Sequence, residues 1–221
     1  METAECLISL ACALLLSGCV SLQVAGQVQA GREALLRNNP TQALTYLEQA
    51  VQTNPQYVYE AESFREGVWT YLGRAQYATG NLQDARRSFE RALALHKDDY
   101  LARLYLGLTL ARAGDRSAAA LKQIESGLKG LRDWLQYMND TDPFDAFWDP
   151  LGEIRSEIDK DLTMISAKDI GWTKLISSGE WVGKRMEEEI DKVRRDERRK
   201  YENDRDRAPR VMSDLVVAPS A

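Results

Sequence analysis

The fold is decided by residues 69–92, which read WTYLGRAQYATGNLQDARRSFERA. Two stretches with helical spacing of large apolar residues flank the turn residues Gly80 and Asn81. Small residues let two antiparallel helices approach closely, and large residues fill the space between them. The stretch therefore predicts a helical hairpin. The residues that carry the pattern are Trp69, Leu72, Gly73, Tyr77, Ala85, Phe89 and Ala92.

Related patterns occur on both sides of this hairpin. Gly107 follows Gly73 by 34 residues, and Ala43 follows Gly31 by 12, as Ala85 follows Gly73. The pattern resembles the tetratricopeptide repeat, a helical hairpin of about 34 residues. The resemblance implies an all-α fold, with a TPR-like helical-hairpin solenoid of about three repeats, then capping helices and a long charged C-terminal helix. Further positions are Leu47, Ala50 and Pro55 in the first copy and Leu106, Gly114, Ala120, Ile124 and Gly127 in the third.

The first two copies are separated by extra residues. Gly31 and Gly73 are 42 residues apart, so about eight residues exceed one period. Helical spacing of apolar residues from Val58 to Leu72 predicts an elongated first helix in the second repeat, and a surface loop is the alternative. No segment sustains a two-residue alternation, so no sheet is expected.

The amino terminus carries a second pattern. An apolar run from Cys6 to Leu16, broken by Ser9, is followed by Ser17, Gly18 and Cys19. This ending resembles the lipobox of bacterial lipoproteins, in which the cysteine is lipidated after cleavage. The resemblance implies a signal peptide at residues 1–18, a lipidated tether at 19–26 and a place in the cell envelope. Val20 in place of Asp favours the periplasmic face of the outer membrane. Residues 1–5 lack the Lys or Arg that signal peptides usually carry.

Composition excludes several classes of function. The chain has 29 Lys and Arg against 34 Asp and Glu, and the net charge of -5 argues against a nucleic-acid binder. The cysteines, Cys6, Cys12 and Cys19, all lie in the first 19 residues, and His96 is the single histidine. Thiol catalysis, a Ser-His-Asp triad and a zinc site are therefore not expected. We expect no enzyme, no metal and no cofactor apart from the covalent lipid on Cys19.

The remaining organisation follows from turns and caps. Residues 27–131 are expected to hold the repeats, 132–207 the capping helices and the charged helix, and 208–221 a disordered tail. Asp149 and Pro150 predict the start of one helix. Ser177 and Glu180 predict a capping box that opens a last helix ending near Asp204. Between Asn139 and Pro150, the loop is expected to plug the end of the stack with its aromatic residues.

The function expected from the resemblance is that of a membrane-anchored periplasmic scaffold or adaptor. Such a protein binds another envelope protein through a TPR groove, in assembly of a pilus, secretin, outer-membrane or export complex. An alternative is an unusual peptidoglycan- or polysaccharide-acting enzyme, or a sugar-binding protein, that uses the aromatic and acidic loop from Asp140 to Asp149. No nucleic-acid partner is expected.

In the family, the first helix of each repeat lines a concave groove, and the resemblance implies the positions that face it. Several are arginines, which pair well with carboxylates and favour an acidic segment as the partner. Two alternatives stay open, namely pairing of these arginines with the chain's own glutamates and filling of the groove by the C-terminal helix. A further candidate surface is the basic stretch Arg194–Lys200. The groove positions are Arg32, Thr70, Arg74, Tyr77, Leu108 and Arg112.

The lipidation of Cys19 can be tested directly. We expect the wild-type protein to fractionate with membranes and to incorporate labelled palmitate, because the acyl chains bury many CH₂ groups at about 0.8 kcal/mol each. Cys19→Ala removes the thiol and should abolish the label. Incorporation of label by Cys19→Ala at the wild-type level would contradict the assignment.

Overall fold

The computed structural model describes residues 21–61, 64–141 and 148–207. The expected tail at 208–221 and the expected signal peptide at 1–18 lie outside the described residues. No helix among the described residues is long and apolar enough to cross a membrane. The elements are α1 (residues 21–36), α2 (Pro40–Thr53), β1 (Val58–Ala61), β2 (Phe64–Gly67), α3 (Val68–Ala78), α4 (Leu82–Leu95), α5 (Tyr100–Arg112), α6 (Ala118–Thr141), α7 (Glu153–Ser166) and α8 (Trp172–Arg207).

Three helical hairpins form the first part of the structure, as predicted. In each one, a glycine of the first helix lies against a large side chain of the second, so that a Cβ at the glycine would come within 2.6 Å of that side chain. Only a residue without a Cβ permits this approach. The three pairs are Gly31 with Leu47, Gly73 with Phe89 and Gly107 with Ile124.

The hairpin turns also fall at equivalent positions. Asn38, Gly80 and Gly114 all have positive φ values, of 57°, 82° and 92°. The left-handed conformation favours glycine and asparagine, and it reverses the chain after each first helix. The turn residues predicted from the sequence are therefore confirmed.

Residues 58–67 form a β-hairpin, so the elongated helix and the surface loop are both wrong, as is the expectation of no sheet. β1 and β2 pair antiparallel, with Val58 opposite Gly67 and Ala61 opposite Phe64. Tyr59 and Glu66 face the protein interior, while Glu60 and Arg65 are exposed. Such one-in, one-out alternation suits a strand, but the segment is too short for the two-residue period to stand out from the helical spacing.

The C-terminal helices differ from the expected ones in their ends. α8 is one helix of 36 residues, and Ser177 lies inside it. The hydroxyl of Ser177 donates to the carbonyl of Thr173, 2.8 Å away, so the predicted capping box is not formed. α7 begins at Glu153 and not at Pro150, although the Asp149 carboxylate accepts from the backbone N–H groups of α7. Residues 21–26, expected in an extended tether, belong to α1.

An aromatic cluster closes one end of the stack. Trp148, which is 1% exposed, packs edge-on against Trp134 with ring centroids 4.7 Å apart. Phe64 of the β-hairpin joins them, 5.1 Å from Trp134. Of the three aromatic residues expected to plug the end of the stack, Trp148 is therefore buried, while Phe144 and Phe147 lie outside the described residues.

The closest backbone contact of the repeats provides a test of the packing. A Cβ on Gly127 would lie 2.5 Å from the backbone nitrogen of Leu104, whereas a Cβ on Gly26 would meet nothing within 4 Å. Gly127→Ala should lower the free energy of unfolding by about 1–3 kcal/mol, because backbone atoms must move apart. Gly26→Ala should be neutral or stabilising by up to about 1 kcal/mol. Equal melting temperatures for the two variants would contradict the packing.

Candidate functional site

The concave face formed by the first helices of the three repeats is covered by α8. α8 runs antiparallel to α1 and α3. Glu187 contacts Arg74, and Glu180, which comes earlier in α8, contacts Tyr77, which comes later in α3. Glu187 also contacts Arg32 of α1. The predicted groove residues do line this face, and the helix of the same chain lies upon them.

Glu187 is the centre of the contact. Its Oε1 accepts from Nε of Arg32 at 2.7 Å, and its Oε2 accepts from Nη1 of Arg74 at 2.5 Å. The side chains are 1%, 2% and 6% exposed for Arg32, Glu187 and Arg74. One buried carboxylate therefore bridges two buried guanidinium groups that belong to two different repeats.

Glu66 is the fourth ionisable side chain of this cluster. Nη1 of Arg74 also lies 3.2 Å from Oε1 of the fully buried Glu66, in β2. Burial raises the pKa of Glu66 to about 8, although Arg74 acts to lower it. Burial also acts to raise the pKa of Glu187, but Arg32 and Arg74 outweigh it and hold that pKa below its ordinary value. Of the two carboxyl groups, Glu187 is therefore the one whose ionised form the cluster stabilises, and Glu66 is protonated more easily.

Tyrosine rings cover the guanidinium groups. Arg32 lies 4.1 Å from the ring centroid of Tyr59, and Arg74 lies 5.3 Å from that of Tyr105. Tyr71 is within 6 Å of both guanidinium groups. Since an aromatic face attracts a cation, more strongly where water is excluded, the rings offset part of the cost of burying these charges.

A second contact lies about two helical turns earlier in α8. The hydroxyl of Tyr77 donates to Oε1 of Glu180 at 2.5 Å, and Arg112 is 3.5 Å from the same oxygen. Arg112 also stacks on Tyr77, 4.6 Å from its ring centroid. Arg112 remains 40% exposed, so this pair contributes less to stability than the buried cluster.

Two glycines of α8 permit its close approach to α5. A Cβ on Gly183 would lie 2.5 Å from the hydroxyl of Tyr105, and a Cβ on Gly179 would lie 2.9 Å from Leu108. Gly179, Gly183 and Glu187 are spaced by four residues and share one face of the helix. That face is matched to the concave surface both in shape and in charge.

The expectation of an open partner groove is therefore corrected, and the alternative that the C-terminal helix fills it holds. Five of the six predicted residues contact or flank α8. Thr70 instead donates to Asp99, the N-cap of α5, at 2.5 Å, and so links two repeats. The groove arginines pair with glutamates of the same chain, so they no longer support an acidic partner at this face.

The other candidate residues have structural surroundings. Asp149 is 3% exposed and pairs with Arg155 at 3.1 Å while it caps α7. Asp140 is exposed and accepts from Gln136, and His96 is exposed at the end of α4. Asp142 and Asp145 lie outside the described residues. Among the residues that the structure describes, no group of acidic, cysteine or histidine side chains is arranged to hold a metal ion.

Sequence reasoning missed the residues that complete the cluster, above all Glu187, Glu66 and Tyr59. One pattern in the sequence does indicate the first of them. Two glycines followed by a glutamate at intervals of four residues form a flat helix face with a charge at its end, as at Gly179, Gly183 and Glu187. Glu66 and Tyr59 have no comparable sequence pattern, because their role depends on the β-hairpin.

The cluster predicts a large effect of one uncharged substitution. Glu187→Gln keeps the size of the side chain but removes the carboxylate shared by two buried guanidinium groups, so that Arg32 loses its buried counter-charge and Arg74 keeps only Glu66 beside it. It should lower the free energy of unfolding by about 3–5 kcal/mol in chemical denaturation. The matched control is Glu90→Gln on the exposed pair with Arg86, which should cost less than about 1 kcal/mol. Equal losses for both variants would contradict a buried bridge.

Comparison with known families agrees with the repeat geometry. Residues 72–129, from α3 into α6, match the family model of the tetratricopeptide repeat. No curated protein and no solved structure matches the chain significantly. The matched residues include the Gly73–Phe89 and Gly107–Ile124 contacts. Such repeats are typically non-enzymatic scaffolds for protein–protein interaction. Residues 72–129 are thus similar in sequence to the tetratricopeptide repeat, and the helical hairpins that they form agree with that family.

Proposed function

We propose that the protein is a lipid-anchored, non-enzymatic scaffold of the bacterial envelope, which holds another envelope protein close to the periplasmic face of the outer membrane. The repeat family supports the interaction role. The lipobox-like sequence before Cys19 supports the anchor and the compartment. The proposal includes no cofactor other than the covalent lipid.

The partner does not displace α8 in this proposal. α8 buries five apolar side chains almost completely, in addition to Glu187. At about 1.5–3 kcal/mol for each side chain, exposing them would cost on the order of 10 kcal/mol, as much as the whole stability of many domains. The five are Leu175, Val182, Met186, Ile190 and Val193.

The observation that carries the proposal is the outer face of α8, which presents an ordered Trp–Arg pair. Trp181 is 37% exposed, and the Arg185 guanidinium lies 5.9 Å from its ring centroid. Arg185 is held by Glu188 at 2.6 Å and by Glu153 at 3.2 Å. Trp and Arg dominate the energetic centres of protein interfaces, and side chains that are already ordered lose little entropy on binding. We therefore place the partner on this face.

A photo-crosslinking amino acid at position 181 tests this placement in intact cells. The photo-crosslinking residue at position 181 should form a discrete adduct with one envelope protein. The matched control is position 137, because Tyr137 is an exposed aromatic residue on α6, 61% exposed. We expect no adduct there.

The second arm of the experiment uses binding strength. Arg185→Ala should weaken capture of the crosslinked protein by about tenfold or more, since truncation of a central interface residue costs more than about 1 kcal/mol. The melting temperature should fall by only a few degrees, because both ion pairs of Arg185 are partly exposed to solvent and each contributes about 1 kcal/mol or less. An adduct at 137 and none at 181 would move the docking surface away from α8.

A further inference from the structure

One carboxyl group, that of Asp161, lies within the apolar face of α7. α7 packs against α6 and α8. Asp161 is only 1% exposed, so it occupies a core position in the pattern of buried residues. An ionised group at such a position costs free energy unless it is paired or hydrogen-bonded. The buried residues of α7 recur at intervals of three and four and are Ile154, Ile158, Asp161 and Ile165.

The ionised form of Asp161 has no hydrogen-bond donor in the described part of the chain. Neither of its carboxylate oxygens accepts a hydrogen bond there. Ser178 of α8 lies beside it, but the hydroxyl of Ser178 donates its proton to Oε1 of Glu157, 2.8 Å away. A protonated Asp161 supplies its own donor, and Oγ of Ser178 keeps a free lone pair that accepts it. Protonation therefore satisfies the carboxyl group that ionisation leaves unpaired.

The charged side chains around Asp161 do not reverse this preference. Burial raises the pKa of Asp161 to about 6. Glu157 of α7 acts in the same direction as burial. Ser178 and Lys174 of α8, together with Lys160 of α7, act to lower the pKa, but burial outweighs them. The surroundings of the carboxyl group therefore favour its protonated form.

We propose that Asp161 is a proton-binding site that controls how firmly α7 is held on α8. Protonation joins the two helices through Ser178, and ionisation weakens the contact because an unpaired charge is then buried. Between the ordinary pKa of an aspartate and about 6, the closed contact binds a proton that the open contact releases. Acid therefore stabilises the contact in this range, and the gain is lost as the pH rises through about 6.

The outer face of α8 is linked to this site through α7. Glu153 of α7 lies 3.2 Å from the Arg185 guanidinium, which stands beside Trp181. When α7 opens, Arg185 loses this partner and keeps Glu188 of its own helix. The order of the Trp–Arg pair is therefore greater in acid, and the consequence for partner binding rests on the proposed function.

Amide protection factors of α7 test the proposal on the isolated protein, because they correct for the intrinsic pH dependence of exchange. We compare the wild type with Asp161→Asn, which carries an uncharged side chain of the same size. From about pH 7.5 to about pH 5, protection of α7 should rise about tenfold more in the wild type than in the variant. At about pH 7.5, the variant should be the better protected of the two, because it buries no unpaired charge.

The matched control removes an exposed carboxylate from the same helix. Asp159 is half exposed and pairs with Arg132 of α6 at 2.6 Å. Asp159→Asn removes one negative charge, as Asp161→Asn does, but it leaves Asp161 intact. The acid-dependent rise in the protection of α7 should therefore be as large as in the wild type. Loss of the rise in this control would indicate net charge, and not Asp161, as its cause.

An NMR titration of the Asp161 side-chain carboxyl carbon supplies a second measurement, which needs no variant and decides the matter if Asp161→Asn does not fold. We expect a midpoint near pH 6. A midpoint at the ordinary value for aspartate, about 3.9, would overturn the proposal. Weaker protection of α7 in Asp161→Asn than in the wild type at about pH 7.5 would also overturn it, since the ionised carboxylate would then be stabilising. No partner takes part in these measurements, so the crosslinking experiment at position 181 fails or succeeds separately.

Discussion

The burial of one carboxylate between two guanidinium groups is the constraint on which the rest of the structure depends. Glu187 bridges Arg32 of the first repeat and Arg74 of the second at hydrogen-bond distance. Buried ion pairs add little net stability, because desolvation offsets their attraction, but a pair that loses one member is strongly destabilising. Any shift of α8 along its axis would separate Glu187 from both guanidinium groups and leave the buried Arg32 without this counter-charge. The cluster therefore fixes the register of α8 on the repeats.

This constraint changes what the repeats do in this chain. In an open solenoid the concave face is available to a partner, whereas here it forms the interior of the protein together with α8. The outer face of α8, with Trp181 and Arg185, lies outside this interior. The groove arginines pair with glutamates, as their chemistry indicated, but Glu180 and Glu187 belong to a helix of the same chain.

The repeats could be predicted from the sequence because their packing is local. Gly73 meets Phe89 within one hairpin, and the same spacing recurs in each copy. The β-hairpin could not be predicted from the sequence, because the positions of Val58 and Phe64 are compatible with the spacing of a helix as well as with that of a strand. Its formation is tied to the burial of Glu66 beside Arg74. The position of α8 depends on contacts more than a hundred residues apart. The spacing of Gly179, Gly183 and Glu187 marks one face of the helix, but it does not say which surface that face covers.

Amide hydrogen exchange measures the central claim most directly, namely that α8 is a permanent part of the core. A backbone amide exchanges when local or global unfolding exposes it to water, so the exchange rate of a segment reports how often that segment opens. The account predicts that residues 179–193 of α8 exchange as slowly as α3 and α5, while residues 195–207 exchange much faster. Fast exchange throughout α8, with α3 and α5 still protected, would show that the helix leaves the groove and would contradict the account.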